Sequence, residues 1–111
     1  MNRNLYQPVI GEIVDIIDES PTIKTFVIVP EEQLTFKTGQ FVELTLPGIG
    51  EAPFTPSSSP ADTDKMEITI MKAGSVTSLL HDCDKGQKVG IRGPFGNGRI
   101  IDLEKTAFQE N

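Results

Sequence analysis

The sequence has 111 residues, 37% hydrophobic and 23% charged, which fits one folded domain and excludes a disordered tail or a fibrous repeat. Acidic residues outnumber basic ones 16 to 10, and the formal charge of −6 argues against nucleic acid or an anionic lipid surface as a partner. With one cysteine, no signal sequence and no apolar run that could cross a bilayer, a cytoplasmic protein without membrane insertion is expected.

Short apolar segments separated by turn residues predict an all-β domain. The first two segments are joined only by Ser20 and Pro21, a connection that favours antiparallel pairing because it is too short for a parallel crossover. Alternating apolar and polar side chains indicate half-buried strands further along the chain. The predicted strands cover residues 11–19, 22–29, 40–46, 66–72 and 88–92, with a proline-rich edge strand over 53–57.

One helix is predicted, over residues 75–83. Ser75 is the expected N-cap, and Gly86 follows the expected end of the helix. His81 is expected on the polar side of this helix, in a structural role. The apolar stripe that would face the domain consists of Val76, Leu79 and Leu80.

Three segments have residue types that suit ligand binding. Residues 52–60 (Ala-Pro-Phe-Thr-Pro-Ser-Ser-Ser-Pro) are stiff and place an aromatic face beside hydroxyls, which suits a flat heteroaromatic ring. The alternative for this segment is a Pro-Ser surface loop. Residues 93–98 (Gly-Pro-Phe-Gly-Asn-Gly) form a tight turn that either approaches a ligand or is a structural corner.

The third segment is the start of the predicted helix, at residues 74–77 (Gly-Ser-Val-Thr). First-turn N–H groups lack helical partners and the helix dipole is positive there, so this end is suited to an anion such as a phosphate. Ordinary N-capping by Ser75 is the alternative. Because the chain has one His and one Cys, it lacks the side chains for a metal cluster or a nucleophilic triad, so we predict no catalytic side chain and expect a cofactor to carry any reaction.

In this order the three segments resemble the flavin-binding domain of the ferredoxin–NADP reductase type. That family has an Arg-x-Tyr-Ser/Thr strand, a Gly-x-x-Ser/Thr helix start and a Gly-Pro-Tyr/Phe-Gly turn, and residues 37–42 are similar to its Pro-Gly-Gln-Phe/Tyr segment. Residues 47–54 (Pro-Gly-Ile-Gly-Glu-Ala-Pro-Phe) look closest to sulfhydrogenase gamma subunits, anaerobic sulfite reductase subunits and dihydroorotate dehydrogenase electron-transfer subunits. The likeness runs from about residue 8 to residue 99.

The resemblance implies a six-stranded antiparallel Greek-key β-barrel that binds FAD rather than FMN. It implies a barrel domain over residues 1–99 and a linker over 100–111, leading to an NAD(P)-binding domain that is missing from the chain. Residues next to the isoalloxazine would be Pro53, Phe54 and Thr55, and those beside the ribityl and phosphate would be Ile70, Met71 and Lys72. The pyrophosphate would contact Gly74, Val76, Thr77 and Ser78.

The implied function is electron transfer between NAD(P)H and a one-electron carrier such as an iron–sulfur protein, within a larger reductase or hydrogenase-type complex. NAD(P) and an iron–sulfur cluster are expected only in the missing domain or in a partner subunit. Ala52 stands where the family has Arg, and Lys72 is predicted to replace part of its charge. The alternative is a flavin-free barrel that serves as an interaction or assembly subunit.

Overall fold

A computed structural model describes residues 6–96 of the chain. The predicted linker over residues 100–111 lies outside this range. The strands and the helix are β1 (Val9–Ser20), β2 (Ile23–Pro30), β3 (Phe41–Leu46), β4 (Gly50–Phe54), β5 (Met66–Met71), α1 (Ser75–His81) and β6 (Lys88–Phe95). Each predicted strand is confirmed. β1 starts two residues earlier than predicted, and β6 starts where predicted but continues to Phe95. The largest difference is in β4, which starts three residues earlier and ends at Phe54, so that residues 55–57 follow the strand.

The six strands form one antiparallel sheet in the order β4-β3-β6-β1-β2-β5. The predicted β1–β2 pairing is confirmed, with Ile16 opposite Phe26. β6 is inserted between β1 and β3, out of sequence order, as in a Greek key. The predicted six-stranded barrel is therefore confirmed in its strands and connections, with β4 and β5 as its two edges.

The barrel is open between these edges, because no described ladder joins β4 to β5. The segment after β4 bridges the opening instead. The Ser57 N–H donates to the Glu67 carbonyl on β5 at 2.7 Å, and the Glu67 N–H donates to the Ser58 hydroxyl at 3.0 Å. Two serine residues thus tie the end of β4 to β5 without extending the strand.

The inward-facing residues of the curled sheet form one core, as the alternation in β3 illustrates: Val42, Leu44 and Leu46 are all at most 5% exposed. Gly11 on β1 is part of this packing. A Cβ atom there would lie 2.7 Å from Cγ2 of Ile28, so the two strands approach more closely than any larger residue allows. The largest fully buried side chains are Phe26, Ile13, Ile28, Leu44, Ile68, Ile70, Leu80 and Ile91.

Helix α1 begins where predicted but is capped differently and ends earlier. Gly74, rather than Ser75, is the N-cap, because Ser75 is already the first helical residue. The Thr77 hydroxyl accepts hydrogen bonds from the N–H groups of Ala73 and Gly74, each at 2.8 Å. The helix ends at His81 instead of residue 83, with Asp82 as its C-cap. Within residues 6–96, no helix is long and apolar enough to cross a membrane.

The prediction that His81 faces the polar side of the helix is wrong. Its side chain is 6% exposed, and Nε2 lies 2.8 Å from the Ile70 carbonyl oxygen of β5. Lys24 donates from Nζ to the His81 carbonyl at 2.9 Å, which places a cation at the negative end of the helix dipole. Together these contacts hold α1 against the end of β5, so the structural role expected of His81 arises from a buried contact.

Candidate cofactor site

A cleft of about 390 Å³ lies at the end of β4 and is lined by Phe41, Glu43, Pro53, Phe54 and Thr55. The register between β3 and β4 explains this grouping, since Glu43 is opposite Pro53 in the ladder. All three residues predicted to contact the ring therefore line one cleft. Phe54 is half-buried, with part of its side chain packed against the core.

Thr55 also lines a second cleft of about 350 Å³, formed by the 36–39 segment and residues 56–60. The hydroxyls of residues 55–58 have different roles. The Ser57 and Ser58 hydroxyls bond the backbone of Glu67, so they serve the connection to β5. Within residues 6–96 the Thr55 hydroxyl takes part in no hydrogen bond, so it is the one of these three that is open to a ligand.

Two of the motifs singled out from the sequence meet beside the first cleft. The Gln40 side chain accepts a hydrogen bond from the Lys37 N–H at 2.8 Å and donates one to the Gly96 carbonyl at 2.9 Å. The rings of Phe41 and Phe95 also pack together, 5.7 Å apart. Residues 93–95, predicted to lie in a tight turn, belong instead to β6, and the rest of that predicted turn after Gly96 lies outside the described residues. Gln40 holds Gly96 beside the cleft, a contact that sequence reasoning did not find.

The start of α1 lies at the other end of β4. A Cβ atom on Gly50 would be 3.0 Å from Cγ2 of Val76, so the first turn of the helix packs on the first residue of the strand. The first helical hydrogen bond is donated by Ser78 to the Gly74 carbonyl at 2.8 Å, which leaves the N–H groups of the preceding turn without helical partners. β4 spans five residues, or about 13 Å between its end residues, and so separates the helix start from the cleft by that distance.

The residues predicted for the pyrophosphate differ in what they offer. The Thr77 hydroxyl accepts from the Ala73 and Gly74 N–H groups and donates to the Gly74 carbonyl at 3.1 Å, so only the Thr77 backbone N–H is available to an anion. Gly74 is exposed, and a Cβ atom built there would meet nothing within 4 Å. Val76 and Ser78 are half-buried in the first turn. An anion at this end would therefore bind backbone groups.

The three residues predicted to contact the ribityl and phosphate, at the end of β5, also differ in what they can offer a ligand. The Ile70 side chain is 1% exposed and belongs to the core, while its carbonyl is bonded to His81. Met71 is 58% exposed, and Lys72 is also exposed, with its N–H donating to the Thr22 carbonyl at 2.8 Å. Met71 and Lys72 can therefore present side chains to a ligand, whereas the Ile70 side chain cannot.

An ion pair on the outer face fixes β4 across β3. Arg92 of β6 donates to both carboxylate oxygens of Glu51, from Nε at 2.8 Å and from Nη2 at 2.6 Å, and the Thr45 hydroxyl of β3 donates to the same carboxylate at 2.7 Å. These bonds, Arg92 first and Thr45 second, lower the pKa of Glu51 from its ordinary 4.5 to about 2, although partial burial acts in the opposite direction. Sequence reasoning did not find this pair because the three residues meet only once the strand order is known.

The ion pair between Glu51 and Arg92 is expected to make the free energy of unfolding depend on pH in the acid range. Since the pKa of Glu51 is lower in the folded chain, its contribution is complete above its ordinary value of 4.5 and is lost as pH falls toward about 2. Urea unfolding of wild type and Glu51→Gln should therefore give midpoints that differ at neutral pH and converge near pH 2. A difference that persists unchanged to the acid limit would contradict a role for the ionised carboxylate.

The amino-acid sequence matches the family model described as oxidoreductase FAD-binding domain over residues 11–100. Sulfhydrogenase 1 subunit gamma of Pyrococcus furiosus is 49% identical over 71 residues, 64% of this chain and 24% of that protein. A probable dihydroorotate dehydrogenase B (NAD(+)), electron transfer subunit, of Methanocaldococcus jannaschii is 42% identical over 90 residues, 81% of this chain and 32% of that protein. The chain thus spans a third or less of the length of these relatives.

Solved structures give the same fold. The cytochrome b5 reductase domain of Ulva prolifera nitrate reductase superposes with a TM-score of 0.75 at 16% identity, covering 84% of this chain and 42% of that one. Phthalate dioxygenase reductase, described as a modular structure for electron transfer from pyridine nucleotides to [2Fe-2S], superposes with a TM-score of 0.72 at 14% identity, covering 81% of this chain and 30% of that one.

Proposed function

From the premise that the chain belongs to the oxidoreductase FAD-binding domain family, we propose that it holds FAD along β4 and passes electrons between NAD(P)H and a one-electron carrier such as an iron–sulfur protein. The observation that carries this proposal is the arrangement of β4 itself, which runs from the anion-suited start of α1 to the cleft at Phe54. When bound, FAD would supply the chemistry of accepting a hydride and releasing electrons singly.

The residues at both ends of β4 fit this cofactor. Pro53 and Phe54 give the cleft flat apolar surface suited to an aromatic ring system. The Thr55 hydroxyl can hydrogen-bond the ring edge near its reactive nitrogen. Phe54 has no hydroxyl, so it can stack but cannot supply a proton. At the other end, the open surface at Gly74 gives a phosphate room to approach the backbone.

In this proposal the chain binds and orients the cofactor and does no acid–base chemistry of its own. Ala52 lies midway along β4, and its small side chain leaves room there where the family has Arg. The charge of the pyrophosphate is then met by the N–H groups of Ser75, Val76 and Thr77, with Lys72 nearby in the chain. Met71 flanks the ribityl portion.

We propose that the chain works in the cytoplasm with an NAD(P)-binding domain or subunit and an iron–sulfur partner. Support comes from the relatives, one named as a sulfhydrogenase subunit and another as an NAD(+)-linked electron transfer subunit.

Titration of the purified protein with FAD and with FMN tests the proposal directly. We expect FAD to bind with the two-banded spectrum of protein-bound flavin and more tightly than FMN, because FMN lacks the pyrophosphate. NADH alone is expected to leave the flavin oxidised until an NAD(P)-binding partner is added. Protein that retains no FAD once the excess is removed would overturn the proposal and favour the assembly-subunit alternative.

Replacement of Lys72 tests whether it substitutes for the missing Arg. Lys72→Ala is expected to raise the Kd for FAD several-fold, since one exposed charge contributes on the order of 1 kcal/mol or less. The effect should shrink as salt is added, because exposed charges are screened. Lys65→Ala, which removes another exposed lysine before β5, is the matched control. Unchanged affinity in Lys72→Ala would exclude this role.

A further inference from the structure

Glu43 is a carboxylate in the wall of the β4 cleft. It lies in β3 between the buried residues Val42 and Leu44, so the alternation of the strand turns it to the outer face. In the sheet it is opposite Pro53 of β4 on one side and Arg92 of β6 on the other. It is half-buried and lines the same cleft as the residues proposed to hold the flavin ring.

The cation opposite Glu43 in the sheet is engaged elsewhere. Arg92 directs Nε and Nη2 to Glu51, and its guanidinium carbon also lies 5.8 Å from the centre of the Phe95 ring. The pKa of Arg92 is raised, first by the hydrogen bonds to Glu51 and to a smaller extent by the charge of Glu43. Across the described part of the chain, no side chain forms a hydrogen bond or ion pair with the Glu43 carboxylate. Glu43 and Glu51 thus lie near the single guanidinium of Arg92, which is bonded to Glu51. The negative charge of Glu43 is therefore not neutralised by a bonded partner, and it lies at the cleft.

We propose that Glu43 lowers the reduction potential of the bound flavin, an inference that rests on the proposed function. Full reduction of the ring takes up two electrons from the reductant and one proton from solvent, so the ring gains one negative charge. A carboxylate in the wall of a partly desolvated cleft disfavours that gain by Coulomb repulsion. The oxidised ring carries no such charge, so Glu43 affects its binding little.

Glu43→Gln tests this effect on the flavin potential, because glutamine keeps the shape of the glutamate side chain and removes its charge. The variant is expected to bind oxidised FAD with nearly unchanged Kd and reduced FAD about tenfold more tightly, which corresponds to a potential raised by about 30 mV for a two-electron couple. The potential is measured by dithionite titration against a reference dye, and the Kd of oxidised FAD by fluorescence. Both readouts are independent of turnover.

Two further variants separate a local effect from a general change in charge. Glu51→Gln releases Arg92 to neutralise Glu43, so it should raise the potential as well. Glu12→Gln removes a carboxylate that pairs with Lys88 at 3.3 Å and does not line the cleft. The flavin bound to this variant should therefore have the same reduction potential as in wild type.

The outcomes distinguish this inference from the function on which it rests. If wild-type protein does not bind FAD, the proposed function and the role of Glu43 both fail. If FAD binds but Glu43→Gln has the wild-type potential or a lower one, the role of Glu43 alone is overturned. An equal rise in Glu43→Gln and Glu12→Gln would also overturn it, because the effect would then reflect net charge.

Discussion

Gly74→Asp is expected to weaken FAD binding by about five- to a thousandfold, the range given by repulsion of about 1–4 kcal/mol between two charges 4 Å apart. The new carboxylate would stand at the start of α1, where we propose that the pyrophosphate binds. The fold should be as stable as wild type or slightly more so. A Cβ atom at residue 74 meets nothing within 4 Å, its backbone is extended (φ −169°), and Asp is a favourable N-cap.

Gly74→Asn is the matched control for this change. Asn has nearly the same shape and capping capacity as Asp but no charge, so it competes for the same first-turn N–H groups and should weaken FAD binding less than Asp does. Both variants are compared by FAD titration and by thermal unfolding without FAD. If Asp and Asn weaken binding equally, bulk or capping of the first-turn N–H groups, rather than charge, is responsible. If neither weakens it, the pyrophosphate does not lie at the start of α1.

Phe26→Ala is expected to have the largest effect on stability, a loss of about 3–5 kcal/mol in the free energy of unfolding. Phe26 is 1% exposed and lies in β2 between Ile16 of β1 and Ile68 of β5. Its ring also packs 6.1 Å from that of His81, so it contacts the residue that holds α1 against β5. Since domains of this size have a total stability of about 5–15 kcal/mol, much of it would be lost.

Urea unfolding followed by circular dichroism measures this loss, with Val29→Ala as the control. Val29 is on the same strand but 40% exposed, so its truncation should change stability far less. A Phe26→Ala midpoint equal to that of Val29→Ala would mean that the core tolerates the cavity. FAD affinity of Phe26→Ala should recover at low temperature where the variant is folded, because Phe26 does not line the clefts.

The strands and the order of the site segments could be predicted because they depend on local patterns. Val42, Leu44 and Leu46 alternate with polar neighbours, and Ser20 with Pro21 marks the turn between β1 and β2. The grouping of Pro53, Phe54 and Thr55 in one cleft follows from their adjacency in the chain.

The rest depends on long-range register, which a single sequence does not encode locally. Glu51 and Arg92 are 41 residues apart and meet only because β3 lies between their strands. His81 has a polar side chain, and its burial depends on the Ile70 carbonyl that β5 offers it. The predicted N-cap of α1 is wrong by one residue: Gly74 has the extended backbone of an N-cap, and Ser75 is already helical.

The position of β4 at the margin of the sheet has an evolutionary consequence. A strand bonded to the sheet along one side can exchange side chains on its free margin while the interior packing is kept, because Ala52 and Thr55 are outside the core. Ligand contacts and folding stability can then be selected largely through different residues, apart from Phe54, which lines the cleft and also packs against the core. A substitution at residue 52 would therefore alter the surface offered to a ligand while the interior packing stays as it is.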